Sequence, residues 1–201
     1  MNICIATQNQ GKLKEFQYLA EQFCPQLSFY SIKEATQEPV PDVIENGSTF
    51  LENASIKAKA YARWLKRPCL SDDSGLMVEA LAGEPGLYSA RYAGPDATDA
   101  ENNAKLLQEI KSKQLIEPKA KFVCVLAYFN PLTEQLLTAE GELHGYIVAQ
   151  PRGSQGFGYN PLFCVEQSKK TLAEMGMEEK LSLDHRSLAF QALSQKLQSI
   201  L

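Results

Sequence analysis

Short apolar runs alternate with segments of helical period through the first half of this chain, and that order limits the fold more than any other feature. Residues 2–6 (NICIA) are apolar and bounded by polar residues, as a buried strand requires. Residues 12–23 then place Leu13, Phe16, Leu19, Ala20 and Phe23 at helical spacing, and Pro25 stops the helix. A second strand is expected over 27–32 and a loop over 33–47. Thr49 and Glu52 form a capping box that opens a helix running to about Lys66. Residues 69–71 read as a short strand broken by Asp72-Asp73-Ser74-Gly75. A helix is expected from Thr98 to Lys113. Residues 119–128 and 135–141 read as an antiparallel pair around Asn130-Pro131, with 142–149 extending the second arm. Thr171 and Glu174 repeat the capping pattern. The last helix starts near Asp184 and carries Leu188, Phe190, Leu193, Leu197 and Leu201. Strand–helix alternation followed by a hairpin predicts an α/β fold, a mixed sheet with helices on its faces.

The 201 residues suit one domain, and no linker or repeat divides them. Twenty basic against twenty-four acidic residues give a net charge of −4, which argues against a nucleic-acid coat or an anionic-lipid binder. The longest apolar run, 122–129, is too short to span a bilayer. The N-terminus lacks the basic-then-apolar pattern of a signal peptide. Cys4, Cys24, Cys69, Cys124 and Cys164 are an odd number without a CxxC pair, so buried free thiols in a reducing, cytoplasmic setting are expected.

Four segments carry chemistry. Thr7-Gln8-Asn9-Gln10-Gly11-Lys12 joins a strand to a helix start, where free backbone N–H groups and Lys12 suit a phosphate; an ordinary capped turn has the same composition. Asp72-Asp73 ends an apolar strand, and a hard divalent cation offsets the cost of two adjacent carboxylates. Neighbours on a strand point to opposite faces, so both need not be ligands. Glu45 and Glu52 are further carboxylate candidates, and Lys57 lies four residues after Asn53 on one helical face. In residues 153–161 three glycines permit close backbone approach, Phe157 and Tyr159 can stack on a flat ring, and Asn160 carries a donor and an acceptor; a tight loop plugged by aromatics is the plainer reading. Asp184-His185-Arg186 opens the last helix, with Asp184 a good N-cap and Arg186 able to contact a phosphate or a base carbonyl. His144 reads as structural.

Together these segments resemble the inosine/xanthosine triphosphate pyrophosphatases. The resemblance shows in ATQNQGKLKEF at 6–16, ENGSTFLENASIKAKAYA at 45–62 and LSDDSGLMVEALAGEPGLYSARYAG at 70–94. It continues in KFVCVLAY at 121–128, PRGSQGFGYNPLF at 151–163 and TLAEMGMEEKLSLDHR at 171–186. It implies a two-lobed α/β fold with a long mixed β-sheet flanked by helices and a central substrate cleft, forming one domain over 1–201. It also implies a homodimer and Mg2+-dependent hydrolysis of inosine, deoxyinosine and xanthosine triphosphates to monophosphate and pyrophosphate. By resemblance, Thr7, Gln8, Asn9, Gln10, Gly11 and Lys12 bind the triphosphate, Asp73 is proton acceptor and metal ligand, and Glu45 is a second metal ligand. Ser74, Phe157, Gly158, Tyr159, Asn160, Lys180, His185 and Arg186 become substrate contacts, with Lys57 and Asp72 near the triphosphate. Two positions depart from the family pattern: Asp184 stands where Ser is usual, and Asn160 where Asp is usual. Two other readings fit the same loops: a nucleotide sensor without catalysis, which the retained Asp72, Asp73 and Glu45 disfavour, and a pyrophosphatase for modified pyrimidine triphosphates.

Overall fold

In a computed structural model, which describes residues 2–7 and 9–199, six strands form one mixed sheet in the order β2-β1-β3-β4-β5-β6. The strands are β1 (Asn2–Ile5), β2 (Ser28–Ser31), β3 (Cys69–Val78), β4 (Lys119–Asn130), β5 (Gln135–Ile147) and β6 (Phe163–Val165). β1 pairs parallel with β2 and β3, and β5 pairs antiparallel with β6. Only residues 131–134 join the neighbouring strands β4 and β5, which leaves no room for a parallel crossover, so this is the expected hairpin. The helices are α1 (Gln10–Phe23), α2 (Ile32–Ala35), α3 (Phe50–Leu65), α4 (Asp99–Ser112), α5 (Met177–Leu181) and α6 (His185–Gln198). Among the described residues no helix is long and apolar enough to cross a membrane.

The chain divides into two compact units. The first contains the residues up to Asp73, Cys124–Gly141 and the residues from Arg186 onward; the second contains Ser74–Val123 and Glu142–His185. In the first, Phe16, Phe29 and Phe190 pack ring on ring, with Phe29 edge-on to Phe190 at 5.9 Å. In the second, Leu76, Val78, Leu106, Phe122, Leu162 and Phe163 belong to one buried cluster. All five cysteines are buried and free, as the odd count suggests. Gly145 on β5 lies so close to β6 that a Cβ there would run into the carbonyl of Cys164 and the ring of Phe163.

Several local expectations change. β3 does not break at Asp72-Asp73 but runs ten residues through them, because both carboxylates find cations in the folded chain. A helical turn, α2, replaces the start of the expected loop; Ser31 and Glu34 cap it reciprocally. Thr49 accepts from the Glu52 N–H, but the Glu52 carboxylate turns to the N–H and hydroxyl of Ser48, so that capping box is half formed. Leu188 lies 42% exposed, and the buried face of α6 is Ala189, Phe190, Leu193 and Leu197. Leu201 falls outside the described residues. The short β6 and α5 have no counterpart in the sequence reading.

Candidate active site

The two neighbouring acids of β3 sit in opposite electrostatic settings. Asp72 is 2% exposed, and its Oδ2 accepts from Lys12 Nζ at 2.7 Å, with Arg186 Nη2 3.9 Å away. Burial works against its charge, but Lys12, Arg186 and Lys57 prevail and hold the carboxyl well below the ordinary range. Asp73 is pushed the other way. Burial raises its carboxyl above the usual aspartate value, and neighbouring Glu45 adds to this against Lys57 and a hydrogen bond from Asn53. Its Oδ2 is buried and has no hydrogen-bond partner among the described residues. Asp72 is therefore locked as a charge, while Asp73 keeps an oxygen ready for a proton or a cation.

Lys57, on α3, links the second acid to the first loop. Its Nζ lies 2.9 Å from Glu45 Oε2 and 3.8 Å from Asp73 Oδ1. Burial opposes its charge, yet Asp72, Asp73 and Glu45 hold the ammonium above the usual lysine range. Asn53, one turn earlier on α3, accepts from the Gly47 N–H at 2.8 Å, which anchors the segment carrying Glu45. Glu52 takes no part, since it is engaged at Ser48.

At the start of α1, Asn9 is the N-cap and accepts from the Lys12 N–H, and Thr7 Oγ1 accepts from the Asn9 N–H. Those side chains complete the turn itself, leaving first-turn backbone N–H groups at Gln10 and Gly11 and the Lys12 ammonium as the means of binding an anion. A cavity of about 130 Å³ opens beside it, lined by Thr7, Gln10, Ser31, Ile32, Lys33 and Val40. Gln8 lies outside the described residues. Arg186 is 3% exposed in the first unit; its Nη1 meets Glu15 Oε2 at 2.5 Å and its guanidinium lies over Phe16.

The second unit holds the aromatic loop. Phe157 is half-buried, with Lys180 Nζ 5.7 Å from its ring centroid. Tyr159 is 4% exposed and its hydroxyl donates to the Ser89 carbonyl at 2.8 Å, which makes it a core ring, unlike the half-buried Phe157. The Asn160 carbonyl accepts from the Ala173 N–H, and its amide lies directly against Gly156, where a Cβ would collide with it. His185 stacks on Phe122 with ring centroids 4.8 Å apart, and Ser74 is half-buried on β3.

The Ham1 family model matches residues 3–196. The chain belongs to the Ham1 family. Relatives of this Ham1 chain include the dITP/XTP pyrophosphatases of Geobacillus kaustophilus, 45% identical over 98% of this chain and 95% of that protein, and of Bacillus subtilis, 41% identical over 97% and 96%. Among solved structures, the Ham1 protein of Staphylococcus aureus superposes with a TM-score of 0.86 at 38% identity, covering all of both chains. The Coxiella burnetii Ham1 protein gives 0.87 at 40% identity over 99% of each. The α/β fold with its mixed, helix-flanked sheet is thus the Ham1 fold.

Three residues of this Ham1 chain escaped the sequence reading. Glu15 is a lone carboxylate on the apolar face of α1, between Leu13 and Phe16, and that position was its only signal. Asp99 and Asn103 hold Gly158 from α4. Their spacing of four marks one helical face, but nothing local ties that face to a loop more than fifty residues away.

Proposed function

We infer that this Ham1 chain is a nucleoside triphosphate pyrophosphatase that cleaves non-canonical purine nucleoside triphosphates, those of inosine, deoxyinosine and xanthosine, to the monophosphate and pyrophosphate. The names of its relatives supply the substrate class. The observation that carries the chemistry is Asp73: a carboxyl raised by burial, with one buried oxygen unclaimed, beside a neighbour held fully charged.

Two carboxylates fit Mg2+, which takes one or two from a protein and completes its shell with water and substrate phosphates. Asp73 and Glu45, which share Lys57 as a neighbour at 3.8 and 2.9 Å, are the ligands we assign, following the resemblance. Bound there, Mg2+ would neutralise phosphate oxygens and polarise the phosphorus. Asp73 takes the proton of the attacking water at Oδ2, a role favoured by its raised basicity. The first-turn N–H groups of α1, with Gln8 and Lys12, bind phosphate oxygens. Asp72 fixes Lys12 in place for this. Lys57 stabilises charge developing beside Asp73.

Recognition of the base falls to the second unit, where Phe157 stacks and Asn160 reads the edge. Ser74, Gly158, Lys180, His185 and Arg186 complete the set carried over by resemblance, while Tyr159, also in that set, supports the loop from the core. Both units serve one activity, and 1–201 is one functional domain. The chain acts as a cytoplasmic homodimer on a small nucleotide, not on a nucleic acid or membrane. Release of monophosphate and pyrophosphate across a panel of inosine, xanthosine, guanosine, adenosine and modified pyrimidine triphosphates tests the reading. No release from any of them favours the sensor, and preferential pyrimidine cleavage the other rival.

Replacing Lys12 or Lys180 with Ala raises KM for the triphosphate and lowers kcat. If either variant has unchanged kcat/KM, that lysine does not contact the phosphates.

Asn160→Asp widens the preference for inosine over adenosine triphosphate. A 6-keto purine offers a donor at N1, which a carboxylate can accept. Adenine offers only an acceptor there, which an Asn amide satisfies by turning over. An unpaired buried polar group costs about 1–3 kcal/mol, so the native Asn retains the preference with a smaller margin. An unchanged ratio of kcat/KM removes Asn160 from base reading.

A further inference from the structure

The loop 156–160 is fastened at Tyr159 and Asn160 by neutral hydrogen bonds, but at Gly158 the fastening is charged and two-sided. The Gly158 N–H donates to Asp99 Oδ2 at 2.6 Å, and its carbonyl accepts from Asn103 Nδ2 at 2.9 Å. Both side chains come from one face of α4, four residues apart. That helix is a firm support. Thr98 and Glu101 cap its start reciprocally. Asn102, 2% exposed, accepts from the Ala93 N–H and donates to the Ala90 carbonyl. Leu106 and Ile110 lie in the core cluster. Gly158 has φ +63°, a conformation that side chains resist, although nothing would crowd a Cβ there. The residue is thus glycine for its backbone angle, and the angle is held from both ends of the residue. Asn103 Oδ1 is buried without a hydrogen-bond partner among the described residues, so the donor is what this side chain contributes.

We propose that Asp99 and Asn103 are positioning residues for base recognition: they clamp Gly158 and so fix the Phe157 ring relative to the Asn160 amide. The proposal rests on the reading of 157–160 as the base-binding loop. A rotation at Gly158 would swing Phe157 against Asn160 while leaving the phosphate-binding turn of α1 untouched. The clamp therefore governs KM for substrates with a base and leaves the phosphate contacts of the α1 turn in place.

The test measures kcat and KM for inosine triphosphate in Asp99→Ala, Asp99→Asn and Asn103→Ala, with inorganic triphosphate as a base-free competitive inhibitor. Asp99→Ala raises KM about tenfold, the loss of one charge-assisted hydrogen bond, with kcat and the inhibition constant of inorganic triphosphate within about twofold of native. Asn103→Ala gives a smaller rise. Asp99→Asn, which drops the charge but keeps an acceptor, restores KM to within about threefold. An unchanged KM in Asp99→Ala overturns the proposal. So does an inhibition constant that rises in step with KM, since that marks a general disturbance. Phe157→Ala and Asn160→Ala are run alongside. If they raise KM and Asp99→Ala does not, the clamp alone is wrong; if none of them does, the base-loop reading fails and takes the clamp with it.

Discussion

Asp73→Asn keeps its fold and loses most of its turnover. General-base catalysis typically contributes about 10²–10⁴-fold, and the amide neither accepts the proton nor holds a cation as a carboxylate does. Pyrophosphate release from inosine triphosphate with Mg2+ measures the loss; full activity would remove Asp73 from the chemistry. The same variant should melt at or above the native temperature near pH 7. The sign follows from linkage. The folded protein raises the Asp73 carboxyl above its unfolded value, so the native state binds this proton more readily. Its contribution to stability is present below the unfolded value and is lost as pH rises through the folded one. At neutral pH the buried charge is a burden, and Asn removes it. Asp72 has the opposite sign: its charge stabilises above the ordinary aspartate range, and that stability is lost progressively as pH falls from that range through the lowered folded value. A thermal melt near pH 7 in which Asp73→Asn falls well below native would contradict this account.

Glu15→Ala should be the most damaging single change to the first unit. Glu15 and Arg186 are 3% and 3% exposed, and their ion pair spans 2.5 Å. Removing one partner from a buried pair leaves the other charge buried, at a cost of about 3–5 kcal/mol. Asp72, 3.9 Å from Arg186 Nη2, places the expected cost toward the lower end. Urea unfolding measures it. A double variant, Glu15→Leu with Arg186→Met, should be more stable than Glu15→Leu alone, because it leaves no orphaned charge. A cost for Glu15→Ala under about 0.5 kcal/mol, typical of a surface change, would show that the pair does not act as one.

The contrast between these residues shows what a sequence makes legible. α1, α4 and the strands around them declare themselves through period and caps, which are local. Asp73 stands out as half of an acidic pair at a strand end, whereas Lys57 and Glu45 are ordinary charged residues by composition, and their roles come from the resemblance. Their grouping in the first unit follows from β3, α3 and the loop before it. Glu15 and Arg186 stand 171 positions apart, and no local signal records such a partnership. Asp72-Asp73 looks like the end of a strand because uncompensated carboxylates do not sit inside one; their compensation by Lys12 and Lys57 is tertiary. Tyr159 looks like a ligand-stacking ring by its place among glycines. Only the position of Ser89, seventy residues earlier, makes it a core residue.

The five buried thiols bear on how this protein can be observed. With every native cysteine enclosed, a thiol-reactive dye meets none of them until some part of the fold opens. Cys4 and Cys69 face each other on β1 and β3, at the base of the segment that carries Asp72 and Asp73. Cys164 lies on β6 in the other unit. Labelling followed by peptide mapping would then report opening separately for each unit, with native residues as the probes.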